Sequence, residues 1–253
     1  MLVATRPFTR LDGSIRAGAA QAALSVCSSI DDEDLCLPCG LARMEAHRPG
    51  GRPTRRLKRG DDLYLQGDEF RAIYAVRAGS FKSVLQAPDG LEQVISFGLV
   101  GDILGLDGLA RGRHESTATA LEDSEVLVLS YDDTSWWPGS PVALHYLVSR
   151  LLSRELVKGR VRIHLISHRS AETRLAALLL DVSQRMQARG YSNSEFHLRL
   201  TRQEIGSYLG LKLETVSRGF AGLQQQRVLD VDGKHVRLLN LPALELLAGE
   251  GAD

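Results

Sequence analysis

The stretch GLKLETVSRGF, residues 210–220, places a carboxylate at Glu214, a hydroxyl at Ser217 and a guanidinium at Arg218, with Leu213, Val216 and Phe220 between them. On a helix the apolar set, continued by Leu223, falls about 135° from the polar trio, so one side packs while the other stays free. Those three groups can read base edges in a major groove. Arg pairs in bidentate fashion with guanine O6 and N7, Glu accepts from cytosine N4, and Ser serves a base or a phosphate. The competing reading is an i,i+4 surface ion pair between Glu214 and Arg218, which contributes only a few tenths of a kcal/mol. The chain's three cysteines form the other reactive group, since Cys27, Cys36 and Cys39 lie within thirteen residues. Clustered thiols of this kind in an intracellular protein point to metal or redox chemistry before structural disulfides. Cys36 and Cys39 have zinc-ligand spacing, but no second pair follows.

The reading trio needs a scaffold, and the flanking sequence supplies one. Thr201 and Glu204 have the spacing of a capping box, which starts a helix near Arg202. Gly210 permits the turn from which a second helix leaves at a steep angle. Downstream, RVLDVDGKHVRLL reads as a hairpin with Asp232-Gly233 in its tight turn and Lys234, His235 and Arg237 at or just beyond the tip. A helix-turn-helix followed by a hairpin is a winged helix, whose wing touches the DNA backbone beside the groove being read. The candidate DNA contacts are therefore Glu214, Ser217 and Arg218, with Thr201, Arg202, Lys212 and Lys234 around them. Residues 169–240 hold eleven Lys and Arg against seven Asp and Glu, an excess of four positive charges. That sign suits a phosphate-contacting module, although the whole chain is formally neutral.

Upstream of this module, residues 1–50 read as a leader that carries every cysteine. From Arg56 to about Leu129, short apolar stretches (AIYAV, SFKSVL, QVISF, EVLVL) alternate with turn glycines, the pattern of a small antiparallel β barrel or roll. After SWWPGSP, residues 141–167 predict one long helix. Leu147, Leu151, Arg154, Val157, Val161 and His164 recur along it every three or four residues, compatible with a two-helix seam. A further helix is expected over 171–190, with Leu175, Leu178, Leu179, Val182 and Met186 facing a core. The resulting class is α+β, divided as a leader (1–50), a β-roll (51–135), a long helix (136–168) and a winged helix-turn-helix (169–253).

Several functions are disfavoured. The sequence has no P-loop, no G-x-S-x-G elbow and no histidine pair at metalloprotease spacing. His114 with Glu115 is the nearest acid–base pair and reads as part of a polar turn. Trp136 and Trp137 read as packing at the barrel–helix junction. No apolar run reaches the roughly 18 residues of a membrane span, and the N-terminus lacks a compact secretory signal. A cytoplasmic location and no membrane partner are expected.

The segments ETVSR, YAVRAGSFK, GDILGLDGL and RLAALLLDVSQR resemble the cyclic-AMP receptor protein and FNR (fumarate and nitrate reduction regulator) family over roughly residues 27–240. The resemblance implies a β-roll sensor domain like the cyclic-nucleotide-binding jelly roll, a long dimerisation helix, and a winged helix that reads a palindromic operator as a homodimer. It also implies RNA polymerase as a partner. Glu214, Ser217 and Arg218 match the base-reading positions of the FNR branch, which implies a TTGAT-type half-site. Lys212 departs from the family, which usually has a capping Thr there. In the cyclic-nucleotide branch a glutamate binds the ribose and an arginine binds the phosphate, but this chain has Leu106 and Glu115 at those places. Cyclic AMP is therefore not expected as a ligand.

CSSIDDEDLCLPCG resembles the leader of the oxygen-sensing branch, which holds a [4Fe-4S] cluster. Cys27 and Cys36 fall on two of its ligand positions. Ile30 and Leu127 replace the other two, and Cys39 is an addition. A cubane normally takes four thiolates, so a fourth ligand here would be Asp31, Asp32, Asp34 or an external molecule. Direct thiol oxidation and the absence of redox sensing are the alternatives, the last giving a ligand- or protein-responsive regulator without a metal cluster. The position matching an acidic residue of that branch's dimer helix is Arg160.

Overall fold

A computed structural model describes residues 53–131 and 141–249. Cys27, Cys36, Cys39, Trp136 and Trp137 lie outside the described residues. The chain runs β1 (Thr54–Leu57), β2 (Asp62–Tyr64), β3 (Ala72–Ala78), β4 (Ser80–Gln86), β5 (Glu92–Leu99), β6 (Ile103–Leu104), a 3-10 turn at Leu106–Leu109, β7 (Thr117–Ala120) and β8 (Ser124–Ser130). The helices α1 (Pro141–His168) and α2 (Ala171–Gln187) follow. Then come β9 (Glu195–His197), α3 (Arg202–Leu209), α4 (Leu213–Gln225), β10 (Leu229–Asp232), β11 (His235–Leu238) and α5 (Leu241–Ala248).

Two antiparallel four-stranded sheets, β1-β8-β3-β6 and β2-β7-β4-β5, form the β-roll. Alternation along the strands drives Val76, Phe81, Ala118 and Val126 into the space between them, as period-2 patterning requires. All four apolar stretches seen in the sequence are strands, namely β3, β4, β5 and β8.

α1 divides its apolar residues between two opposite faces. Leu144, Leu147 and Leu151 are buried against Ile73, Leu127 and Leu129 of the β-roll. Of the expected seam, Leu147 and Leu151 anchor the helix to its own domain, whereas Val157 and Val161 are exposed. The outward face instead carries Val142, Tyr146, Leu152, Leu156 and Ile163, all exposed. At about 100° per residue these positions fall within roughly a third of the helix circumference, on the side away from Leu147.

α2 starts at Ser170, whose side chain accepts from the Thr173 amide. It buries Leu175, Leu178, Leu179 and Val182 in the core of the C-terminal domain, where α4 contributes Val216, Phe220 and Leu223. β-roll residue Phe97 belongs to the same core, so the two domains share a packed junction.

Candidate nucleic-acid interface

α3 begins with the capping box expected from sequence. Thr201 Oγ1 accepts from the Glu204 amide at 3.2 Å, and Glu204 Oε2 accepts from the Thr201 amide at 2.7 Å. Gly210 ends the helix at φ 65°, a left-handed conformation that costs a glycine little. α4 then leaves with Lys212 at its N-cap, and no side chain bonds there.

Along α4, Val216, Phe220 and Leu223 are buried, while Glu214, Ser217 and Arg218 are exposed side by side. Leu213, expected on the packed face, is 46% exposed. It is the first residue of the helix and reaches past the edge of the core. Glu214 and Arg218 do not pair with each other, since neither takes part in any salt bridge among the described residues. The ion-pair reading fails, and the trio is left open to an incoming ligand.

The flanking cations are placed unequally. Lys212 is exposed beside the trio. The Arg202 guanidinium lies 3.3 Å from the centroid of the Phe220 ring, and partial burial lowers its pKa from the ordinary arginine value. Arg202 thus packs on the Phe220 ring at the start of α3 while remaining part-exposed. β10 and β11 pair Asp232 with His235, so the two-residue turn is Gly233-Lys234. This is one position later than expected, because Gly233 takes the positive φ of 58° at the first central position. Lys234 sits in the turn, but its ammonium folds back to donate to the Arg199 carbonyl at 2.6 Å.

Sequence reasoning missed how firmly this unit is gripped by the β-roll. Lys82 Nζ on β4 lies 2.7 Å from Glu204 Oε1, the capping-box carboxylate. The Val94 amide donates to Ser207 Oγ at 2.8 Å, and Phe97 meets Tyr208 edge-on at 5.4 Å. Asp102, at the β5–β6 turn, accepts from Arg185 and, at 3.0 Å, from Arg189 on α2 and just beyond it. Burial pushes the Asp102 carboxyl up, but Arg185 and Arg189 outweigh that and hold it below the usual carboxylate range. Arg199 pairs with Glu122 at 2.9 Å. The sequence signal for these contacts was only isolated charges in two distant segments, which does not specify a pairing.

Inside the β-roll, His114 is 2% exposed and stacks on Tyr64 with centroids 3.7 Å apart. His114 does lie in the turn before β7, but its ring is turned inward, stacked on Tyr64 and 3.3 Å from Asp107 Oδ1. Asp107 Oδ2 accepts from Ser116 Oγ at 2.7 Å and from the Glu115 amide at 3.2 Å, and Oδ1 lies 3.3 Å from His114 Nδ1. Burial opposes charge on Asp107, yet the hydrogen bonds from His114 and Ser116 prevail and lower its pKa. Leu106 is buried, and the Glu115 side chain points to Arg111 at 3.4 Å. The described residues include no cysteine and no group of three or more His, Cys, Asp or Glu side chains arranged for a metal. Leu127, at the β-roll position matching a cluster ligand, is an apolar core residue. With three cysteines in the chain, the residues present do not make a four-thiolate cluster site. No helix among the described residues is long and apolar enough to cross a membrane.

Comparison with known proteins agrees with this geometry. Residues 54–136 match the cyclic nucleotide-binding domain model, and residues 173–247 match the Crp-like helix-turn-helix domain model. The transcriptional regulatory protein Btr of Bordetella pertussis is 39% identical over 226 residues, covering 88% of this chain and 93% of Btr. The fumarate and nitrate reduction regulatory protein of Vibrio cholerae is 37% identical over 225 residues, covering 88% of this chain and 90% of that protein. Among solved structures, FixK2 from Bradyrhizobium japonicum superposes with a TM-score of 0.70 at 26% identity, covering 78% of this chain and 96% of FixK2. An exposed, unpaired polar trio on a winged helix, joined to a β-roll and sharing this identity with whole-length relatives, places the chain in the CRP/FNR family of DNA-binding transcription regulators.

Proposed function

We propose that the protein acts in the cytoplasm as a homodimer on a palindromic TTGAT-type operator of about 14 base pairs, whose half-sites lie one helical turn apart. The observation that carries this reading is the unpaired trio Glu214, Ser217 and Arg218 on the outer face of α4. The exposed apolar face of α1 supports the dimer, since five large apolar side chains on one helix side suit burial against a second copy. Arg218→Ala is expected to lower operator affinity by about 1–3 kcal/mol and relax preference at one base pair per half-site. Selection from random duplexes, repeated with the variant, measures both effects. Unchanged discrimination between operator and random DNA would remove Arg218 as a reader. RNA polymerase is the further partner that the family resemblance suggests.

The signal belongs to the same proposal. Ser116 and the Glu115 amide are engaged by Asp107, and Glu115 presents a carboxylate where a cyclic phosphate would need a cation. This arrangement disfavours cyclic AMP. The response to oxygen or redox state is assigned to Cys27, Cys36 and Cys39, either as thiols or as ligands of a [4Fe-4S] cluster completed by a non-cysteine group. Anaerobic purification with iron and sulfide analysis tests the cluster: iron-free, colourless protein that resists reconstitution excludes it. Leu127 favours a second reading, in which the regulator answers a small molecule or protein without any metal.

A further inference from the structure

A cavity of about 560 Å³ lies between the β-roll and the C-terminal domain, away from the reading trio and from the outer face of α1. Its walls come from both domains: Phe97 and Leu121 on the β-roll side, Val182 and Met186 on α2, and Phe196 and Leu198 at and after β9. The volume lies within the 300–1,000 Å³ range typical of small-molecule sites, which favour domain interfaces.

The chemistry of an occupant follows from the charges around the opening. Among the charged residues of the lining, Arg199 pairs with Glu122 and Arg189 with Asp102, while Glu195 Oε1 lies 2.8 Å from His235 Nε2. A charged ligand would have to break one of these pairs and leave its partner behind, which is costly at a partly buried site. An uncharged apolar body breaks no ion pair, and gains by removing the part-exposed Leu121 and Met186 side chains from solvent.

We propose that this cavity is a binding site for an uncharged, largely apolar small molecule that bridges the β-roll and the DNA-binding domain. Because both domains line the site, an occupant favours the arrangement in which they are docked. The binding claim stands whether or not the trio on α4 reads DNA.

N-phenyl-1-naphthylamine, an uncharged aromatic fluorophore, is a suitable probe for the full-length protein. Wild type is expected to give saturable fluorescence enhancement with one site per chain. Leu121→Trp and Met186→Trp fill the cavity from opposite domains and leave the apolar face of α1 intact. Each is expected to weaken binding at least tenfold, and a variant counts only when its circular dichroism and melting match wild type. If both variants misfold, competition between the probe and unlabelled naphthalene, together with protection of the Leu121 and Leu198 amides from hydrogen exchange, decides the matter. Absence of saturable binding to wild type, undiminished binding by a folded variant, or no protection of those amides would overturn the proposal.

Discussion

Lys212 stands where two demands on one side chain conflict. It occupies the N-cap of α4 with extended backbone, φ −74° and ψ 151°, but offers the helix no side-chain acceptor. That geometry suits a Thr, whose hydroxyl would accept from the Thr215 amide. Lys212→Thr is expected to stabilise the protein by about 1 kcal/mol, visible as a melting temperature raised by about 2–4 °C. The same change removes a cation beside the reading trio. The slope of log affinity against log salt for DNA should therefore flatten by about 0.9 per half-site, about 1.8 for the dimer on its operator. A variant that gains stability with an unchanged slope would show that Lys212 does not touch phosphate. Capping, the turn glycine and the polar trio were legible in the sequence because each depends on neighbours within one or two helical turns. Arg202 and Lys234 were not, since Phe220 and the Arg199 carbonyl, which hold them, are brought close only by tertiary folding. The burial of His114 within its turn was hidden for the same reason: the ring it stacks on, Tyr64, lies fifty positions earlier.

α1 shows how one helix can serve two neighbours. Its periodicity was plain in the sequence, but which stripe met the β-roll was not, because Leu lies on both sides. Leu144, Leu147 and Leu151 turn inward, leaving Tyr146, Leu152, Leu156 and Ile163 outward. Arg160, also exposed, falls on this outward side one turn beyond Leu156. In a two-fold pairing of α1 with its copy, an isologous contact brings equivalent surfaces together, so two Arg160 side chains add like charge to an apolar seam. Arg160→Leu is expected to strengthen self-association, and Leu156→Glu to weaken it, by tenfold or more each. Sedimentation equilibrium across a range of protein concentrations measures both. Equal association constants for the two variants and wild type would mean that this face does not join the copies.

The two domains behave as one body because carboxylates on each side of the junction find cations on the other. Asp102 with Arg185 and Arg189, Glu204 with Lys82, and Glu122 with Arg199 connect the β-roll to α2, α3 and the segment after β9. The Glu204 pair is the most consequential for DNA reading, since the same carboxylate caps α3 and so fixes the helix that supports α4. Burial raises the Glu204 pKa, but bonds from Lys82 and Thr201 more than offset this. Asp102 and Glu204 thus both ionise more readily in the docked chain than in the unfolded one. Their contribution to docking is fully present above the unfolded carboxylate range, about pH 4, and is lost as pH falls through the lower folded values. The radius of gyration from solution scattering should be constant between pH 8 and 5 and rise only below about pH 4. Asp102→Asn leaves two guanidiniums facing a neutral amide, and breaking a buried pair in this way costs about 3–5 kcal/mol. The variant is expected to expand already at pH 7 while its β-roll strands keep their hydrogen-exchange protection. A compact Asp102→Asn protein at pH 7 would mean that the apolar contact of Phe97 with Tyr208 and the C-terminal core holds the domains without the ion pairs.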